Sequence, residues 1–163
     1  MALRLFGLIS DTHGHPHPRA FQALHGVEAI LHAGDVEKED SLRDLEALAP
    51  VFAVAGNCDI PSARLPSIRA ETMPFGLAII AHGHRSSAPA EAESLARLFG
   101  ARRPRLILHG HTHRREARWI GDVFVVNPGP CSAKSRRGDP PGAAILRWDD
   151  AADSLSVEWS IFA

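Results

Sequence analysis

The chain has 163 residues, 45% of them hydrophobic, with 18 basic and 19 acidic side chains for a net charge of −1. That length suits one domain, taken as residues 1–163, with a full hydrophobic core, and the composition excludes wholesale disorder. The charge balance gives no overall pull toward nucleic acid or an anionic membrane, and two cysteines, Cys58 and Cys131, cannot form a disulfide scaffold.

The first ten residues are apolar but short. They carry Arg4 and run directly into Asp11-Thr12-His13, so they read as a buried first strand rather than a signal peptide. No segment reaches the roughly 18 unbroken apolar residues of a membrane span. The protein is therefore expected in the cytoplasm. Further short apolar runs without helical spacing occupy 29–33, 51–55, 77–81, 106–108 and 123–126, and read as strands. Helical spacing appears at 18–25 (Ala20, Phe21, Leu24) and at 39–49 (Leu42, Leu45, Leu48, Ala49). The second of these has Asp40 or Ser41 as N-cap and Pro50 as stop. A third helix, 89–99, aligns Ala92, Leu95, Ala96 and Phe99 and ends at Gly100.

The front of the chain thus alternates strand and helix, which favours parallel pairing. The back carries hairpin patterns: 69–73 with 77–81, 117–120 with 123–126 across Gly121-Asp122, and 143–148 with 155–162. Segments 60–67 and 128–142 are rich in Pro, Gly and Ser and read as loops. Trp119, Trp148 and Trp159 on the hairpins fit core packing or a self-association edge equally well, the latter giving a homo-oligomer.

The informative feature is the polar cluster that ends each apolar run. These ends read Ser10-Asp11-Thr12-His13-Gly14, Gly34-Asp35, Gly56-Asn57-Cys58-Asp59, His82-Gly83-His84, His109-Gly110-His111-Thr112-His113 and Asn127-Pro128-Gly129. Open α/β sheets bind ligands at the carboxyl ends of their strands, so strands running one way would bring these clusters to one edge. Burying so many unpaired polar groups for structure alone would cost several kcal/mol. Asp, His and Asn donors without a thiolate suit divalent ions of intermediate hardness: manganese, iron, cobalt, nickel or zinc. Seven such residues (Asp11, His13, Asp35, Asn57, His82, His111, His113) exceed the four ligands of a structural zinc site and suffice for two ions sharing a carboxylate.

In this order and combination, Asp-x-His, Gly-Asp, Gly-Asn-x-Asp, His-Gly-His and Gly-His-x-His resemble the calcineurin-like metallophosphoesterase superfamily. Gly-Asn-Cys-Asp and Asn-Pro-Gly are similar to its compact prokaryotic phosphodiesterase branch. The resemblance implies an α/β fold, a four-layer α-β-β-α sandwich of two mixed sheets. It implies two divalent metal ions, manganese first, with Asp11, His13 and His113 on one, Asn57, His82 and His111 on the other, and Asp35 bridging. It further implies hydrolysis of a small phosphoester, a diester above all, by metal-bridging hydroxide, with Asn57 donating its amide to a phosphate oxygen. His111 and His113, two apart in an extended segment, would point the same way.

Many members of the resembled superfamily carry His where this chain has Cys58. An ordinary thiol, with a pKa near ~8.5, is a poor acid for a leaving oxygen, so acidic leaving groups are favoured. His84 is the alternative acid, and Cys58 reads otherwise as a small buried residue beside the site. Asp59 is expected to orient the Asn57 loop. Asn127 is expected to shape its own loop and stand among the substrate contacts. Pro130 replaces a common Ser. Arg136 and Arg137 fit either phosphate contacts or solvated charge. His32 and His109 read as residues supporting the ligand clusters, and His15 and His17 as surface-loop residues. A non-enzymatic scaffold, the competing class, would be marked by missing ligands, and none of the seven is missing.

Overall fold

The computed structural model describes residues 3–162. Its framework is two five-stranded sheets. The first contains β1 (Leu3–Ile9), β2 (Ile30–His32), β3 (Val51–Ala53), β11 (Gly142–Asp149) and β12 (Ser154–Ile161), in the order β12-β11-β1-β2-β3. The second contains β4 (Ile68–Met73), β5 (Gly76–Ala81), β8 (Leu106–Leu108), β9 (Glu116–Ile120) and β10 (Val123–Asn127), in the order β4-β5-β8-β10-β9. Both are mixed. β1, β2 and β3 run parallel, as do β5, β8 and β10, while the flanking hairpin strands pair antiparallel. A separate two-stranded ribbon joins β6 (His84–Arg85) to β7 (Ala88–Pro89).

The continuous apolar runs exist because these strands are covered on both faces. Between the sheets, Phe6, Leu8 and Leu31 of the first pack with Ile80, Leu106, Leu108 and Val126 of the second, and Phe6 meets Phe75 edge to face at 5.1 Å. On the outer face of the first sheet, Ile9, Ile30 and Ile145 pack under α1 (Pro18–Ala23) and α2 (Glu39–Glu46) through Ala20, Leu24, Leu42 and Leu45. On the outer face of the second, Ile79, Ile107 and Val125 pack under Ala92, Leu95 and Phe99 of α3 (Ala92–Phe99). The result is the expected α-β-β-α order of layers.

The helices are shorter than their periodicity suggests. α3 begins at Ala92 rather than residue 89, because Pro89 pairs with His84 in the ribbon. α2 has Lys38 as its N-cap, not Asp40 or Ser41; the Ser41 hydroxyl donates to the Lys38 carbonyl at 2.6 Å from inside the first turn. Among the described residues, no helix is long and apolar enough to cross a membrane.

Candidate metal centre

The six central parallel strands deliver their carboxyl ends to one edge of the sandwich. Backbone hydrogen bonds lock the first two end loops together: Asp11 N to Gly34 O, His13 N to Asp35 O and Gly14 N to Val36 O, all at 2.8–2.9 Å. Eight described non-glycine residues have positive φ, and six of them are here: Asp11, His13, Asp35, Glu37, His111 and His113, at 49–71°. Asp and His tolerate this region better than most residue types, yet each costs about 1–2 kcal/mol. Such strain persists only where the surroundings impose it, and its concentration in five of the seven expected ligands marks a functional site. Two glycines permit the close approach. A Cβ at Gly56 would stand 2.1 Å from Asp35 Oδ1, and one at Gly110 would stand 2.0 Å from Ser10 Oγ.

The donor atoms form two adjoining groups. In the first, Asp11 Oδ1 lies 3.3 Å from His113 Nε2 and 4.0 Å from His13 Nε2, and the two Nε2 atoms are 3.3 Å apart. In the second, Asn57 Oδ1 lies 3.0 Å from His82 Nε2 and 3.1 Å from His111 Nδ1. Asp35 Oδ2 stands between them, 3.8 Å from His13 Nε2 and 3.4 Å from His82 Nε2. Donors bound to one ion through bonds of ~2.1 Å sit about 3.0–3.4 Å from one another, and the shorter of these separations have that size. Asp11 Oδ1 also approaches His82 Nε2, at 3.8 Å, so the groups share a wall.

The surroundings aim these atoms inward. Ser10 Oγ and the His111 N–H both donate to Asp11 Oδ2, at 2.6 and 3.1 Å, whereas Asp11 Oδ1 is buried and accepts no hydrogen bond. His82 Nδ1 donates to Ala33 O, His113 Nδ1 to Arg137 O and His13 Nδ1 to the Glu37 carboxylate, at 2.7, 3.2 and 3.0 Å. Each of these contacts fixes a tautomer that leaves Nε2 with its lone pair, the form a metal requires. The residues present therefore fit a divalent ion, and the buried, unpartnered Asp11 Oδ1 is the atom that most needs one. Burial opposes charge on Asp11 and Asp35, but His113 and His82 around Asp11, and His82 and the Cys58 N–H beside Asp35, hold both carboxyls below the usual range. His82 moves the other way: its burial is outweighed by Asp35 and Asp11, which raise it.

The remaining expected residues separate by position. Cys58 is exposed, which removes its reading as a small buried residue; partial desolvation of the sulfur and the nearby Asp35 push its thiol up to about 11. Its N–H donates to Asp35 Oδ1 at 2.9 Å. Asp59 accepts the N–H groups of Val36, Glu37 and Gly56 at 2.7–3.0 Å and so ties the Asp35 loop to the Asn57 loop. The His84 ring lies 5.4 Å from the His82 ring, and its buried Nδ1 has no hydrogen-bond partner; burial and His82 lower its pKa.

Two expectations are corrected. Asn127 is buried, and its amide donates to Gly110 O and Thr112 Oγ1 while its oxygen accepts from Gly129 N, so it shapes the His111 loop and is closed to substrate. Arg136 is exposed and donates to the Ser135 carbonyl, and Arg137 donates to His111 O. The segment carrying His111 and His113 is not extended, because both residues are left-handed, yet His111 reaches Asn57 Oδ1 and His113 reaches Asp11 Oδ1. Glu37 was not expected at all, since Gly-Asp-x-Glu carries no signal that Glu37 would fold onto His13. A concavity of about 790 Å³ lined by Arg97, Arg103, Arg105 and Ile120 lies beside α3 and contains none of these groups.

Comparison with known proteins agrees with the geometry. The chain is 36% identical over 158 residues to a probable metallophosphoesterase of Methanothermobacter thermautotrophicus, spanning 89% of this chain and 86% of that one. It is 30% identical over 147 residues to a phosphodiesterase of Methanocaldococcus jannaschii, spanning 77% and 82%. Its fold matches the zinc complex of Vps29 from Entamoeba histolytica with a TM-score of 0.70 at 23% identity, covering 98% of this chain and 99% of that one. Residues 5–151 match the model of the calcineurin-like phosphoesterase superfamily domain, and the chain belongs to that metal-dependent family.

Proposed function

We propose that this protein is a two-metal phosphoesterase with phosphodiesters as its preferred substrates. The observation that carries the reading is Asp11 Oδ1, a buried carboxylate oxygen with no hydrogen-bond partner, with the Nε2 atoms of His113, His82 and His13 at 3.3, 3.8 and 4.0 Å. Asp11, His13 and His113 would hold one divalent ion, Asn57, His82 and His111 the other, with Asp35 between. Manganese is the first candidate, and iron, cobalt, nickel and zinc also suit this oxygen and nitrogen set. When bound, such a pair supplies an ionised water as nucleophile near neutral pH and neutralises the phosphoryl oxygens. Family membership and the phosphodiesterase among its relatives support phosphoester hydrolysis.

The chain's own residues orient the reaction. Asp59 holds the Asn57 loop against the Asp35 loop, and the exposed Asn57 amide can donate to a phosphate oxygen. Cys58 keeps its proton at neutral pH but releases it reluctantly, and burial and the neighbouring His82 lower the pKa of His84, which reduces its protonated share. Leaving groups that need no proton are therefore favoured, which disfavours alkyl esters.

Elemental analysis of purified protein, then a panel of phosphodiesters and phosphomonoesters with each candidate metal, tests this. The expected result is two metal equivalents per chain, loss of hydrolysis on chelation and recovery on metal return. Hydrolysis that persists in fully stripped protein, or no turnover with any metal, would overturn it.

A further inference from the structure

The chain has 18 basic residues, but only two are lysines, Lys38 and Lys134. They are far apart in sequence and meet at one atom. Lys38 Nζ lies 3.4 Å and Lys134 Nζ 3.2 Å from His15 Nε2. An imidazole nitrogen has one lone pair and accepts from one ammonium at a time. The two ammonium groups are thus within about 7 Å of each other, where like charges repel, and only one can be satisfied by His15. Among the described residues, neither lysine has a carboxylate ion pair, and Glu37, next to Lys38, is already engaged by His13.

All three side chains are carried by segments that build the His13–His113 side of the metal centre. His15 lies two residues beyond His13, with its N–H on Thr12 O and its carbonyl accepting Ala133 N–H. Lys38 adjoins Glu37, the partner of His13, and its N–H donates to Val36 O. Lys134 donates its N–H to Ser132 Oγ, in the loop whose Arg137 carbonyl holds His113. The side chains are accessible, while the backbone that carries them is hydrogen-bonded into the site.

We infer that Lys38, Lys134 and His15 form a second anion subsite beside the metal centre, which receives a further phosphate on the substrate and so selects phosphoesters carrying a second phosphoryl group. The two ammonium groups carry rotatable donors that match the terminal oxygens of a phosphate dianion, while His15 Nε2, as acceptor, gathers the two lysine side chains at one point. The inference rests on the phosphoesterase reading for its substrate, but not for the existence of the subsite.

Two matched esters test it, thymidine 5′-(p-nitrophenyl phosphate) with and without a 3′-phosphate, which share reacting centre and leaving group. Manganese-loaded wild type is expected to favour the 3′-phosphorylated ester in kcat/KM by about tenfold at low ionic strength, and the Lys38→Gln/Lys134→Gln double variant to lose that preference. Equal kcat/KM for the two esters in wild type, or a preference that survives in the variant, would overturn the inference. A second measurement is independent of turnover: sulfate titrated into metal-free protein, monitored through the His15 imidazole resonances. A saturable shift in wild type that is absent in the variant supports the subsite; no shift, or the same shift in both, rejects it. Sulfate binding without ester preference rejects the substrate assignment. Failure to hydrolyse either ester with any metal defeats the phosphoesterase reading, and the titration then decides the subsite alone.

Discussion

His13 Nε2 and His113 Nε2 face each other at 3.3 Å, although neither neutral ring has a proton to place between them. Each ring's Nδ1–H is donated elsewhere, to the Glu37 carboxylate and to the Arg137 carbonyl, which cannot donate in return. Two lone pairs aimed at one point, with the bare Asp11 Oδ1 beside them, call for a cation. Metal-stripped protein should therefore gain several degrees in Tm when manganese or zinc is returned, by preferential binding to the folded state. Asp11→Asn should lose that gain together with at least about a hundredfold in activity. Thermal scans with and without metal check this; an equal rise in wild type and variant would remove Asp11 from the site.

Glu37 acts through His13. It sits at a φ of 61° with its N–H on Asp59 Oδ1, a strained position that delivers its carboxylate to His13 Nδ1. Partners that orient a metal-binding imidazole are typically worth about 10–100-fold in metal affinity. Glu37→Ala should weaken binding by that factor, and Glu37→Gln, whose amide oxygen still accepts, should recover most of it. Competition with a fluorescent chelator measures both. Equal loss in the two variants would show that charge, not orientation of the ring, is the contribution.

Cys58 sets the leaving-group requirement. Its thiol, pushed up to about 11, lies on the exposed rim beside Asn57, whose Nδ2 is 3.5 Å from the sulfur. With no acid of suitable strength, the rate should fall steeply as the leaving-group pKa rises across a series of aryl and alkyl phosphodiesters. Cys58→His should flatten that slope, with the largest gains on alkyl esters. A flat slope in wild type, with chemistry rate-limiting, would identify a proton donor elsewhere, and His84 would be the first residue to replace.

The donor set was legible in the sequence because each cluster interrupts an apolar run, so the polar residues at strand ends announce both the end and its use. The apolar runs and hairpin patterns by themselves predicted a parallel front, an antiparallel back and helices outside, and the four layers came from the family resemblance. What the sequence hid was long-range or conformational. Nothing in Gly-His-x-His reveals that His111 and His113 are left-handed, because His adopts that region only where its surroundings force it. Glu37 reaching His13, and two lysines reaching His15, are products of tertiary approach between distant loops. Asn127 sits in a motif at a strand end, as the ligands do. Its inward turn is decided by the Gly110 and Thr112 groups it meets, which no sequence pattern displays.

His32 couples the same edge to pH. It is fully buried, its Nδ1 accepts the Gly34 N–H at 3.1 Å, and its Nε2–H donates to Thr12 Oγ1 at 3.0 Å. Burial, only partly offset by Asp11 and Asp59, lowers its pKa from 6.5 to about 4. A second proton would fall on Nδ1 and break the bond to Gly34, in the turn that carries Asp35. Between pH 6.5 and 4 the unfolded chain binds this proton and the folded chain does not, so stability rises with pH across that window. The contribution is complete above about pH 6.5 and is lost as pH falls toward 4. Metal-free protein should lose about 2 kcal/mol from this residue between pH 7 and pH 5. Urea unfolding at the two pH values, in wild type and in His32→Gln, isolates it. The variant should be less stable at pH 7 but should fall less on acidification, and identical losses in the two proteins would assign the acid sensitivity to other groups.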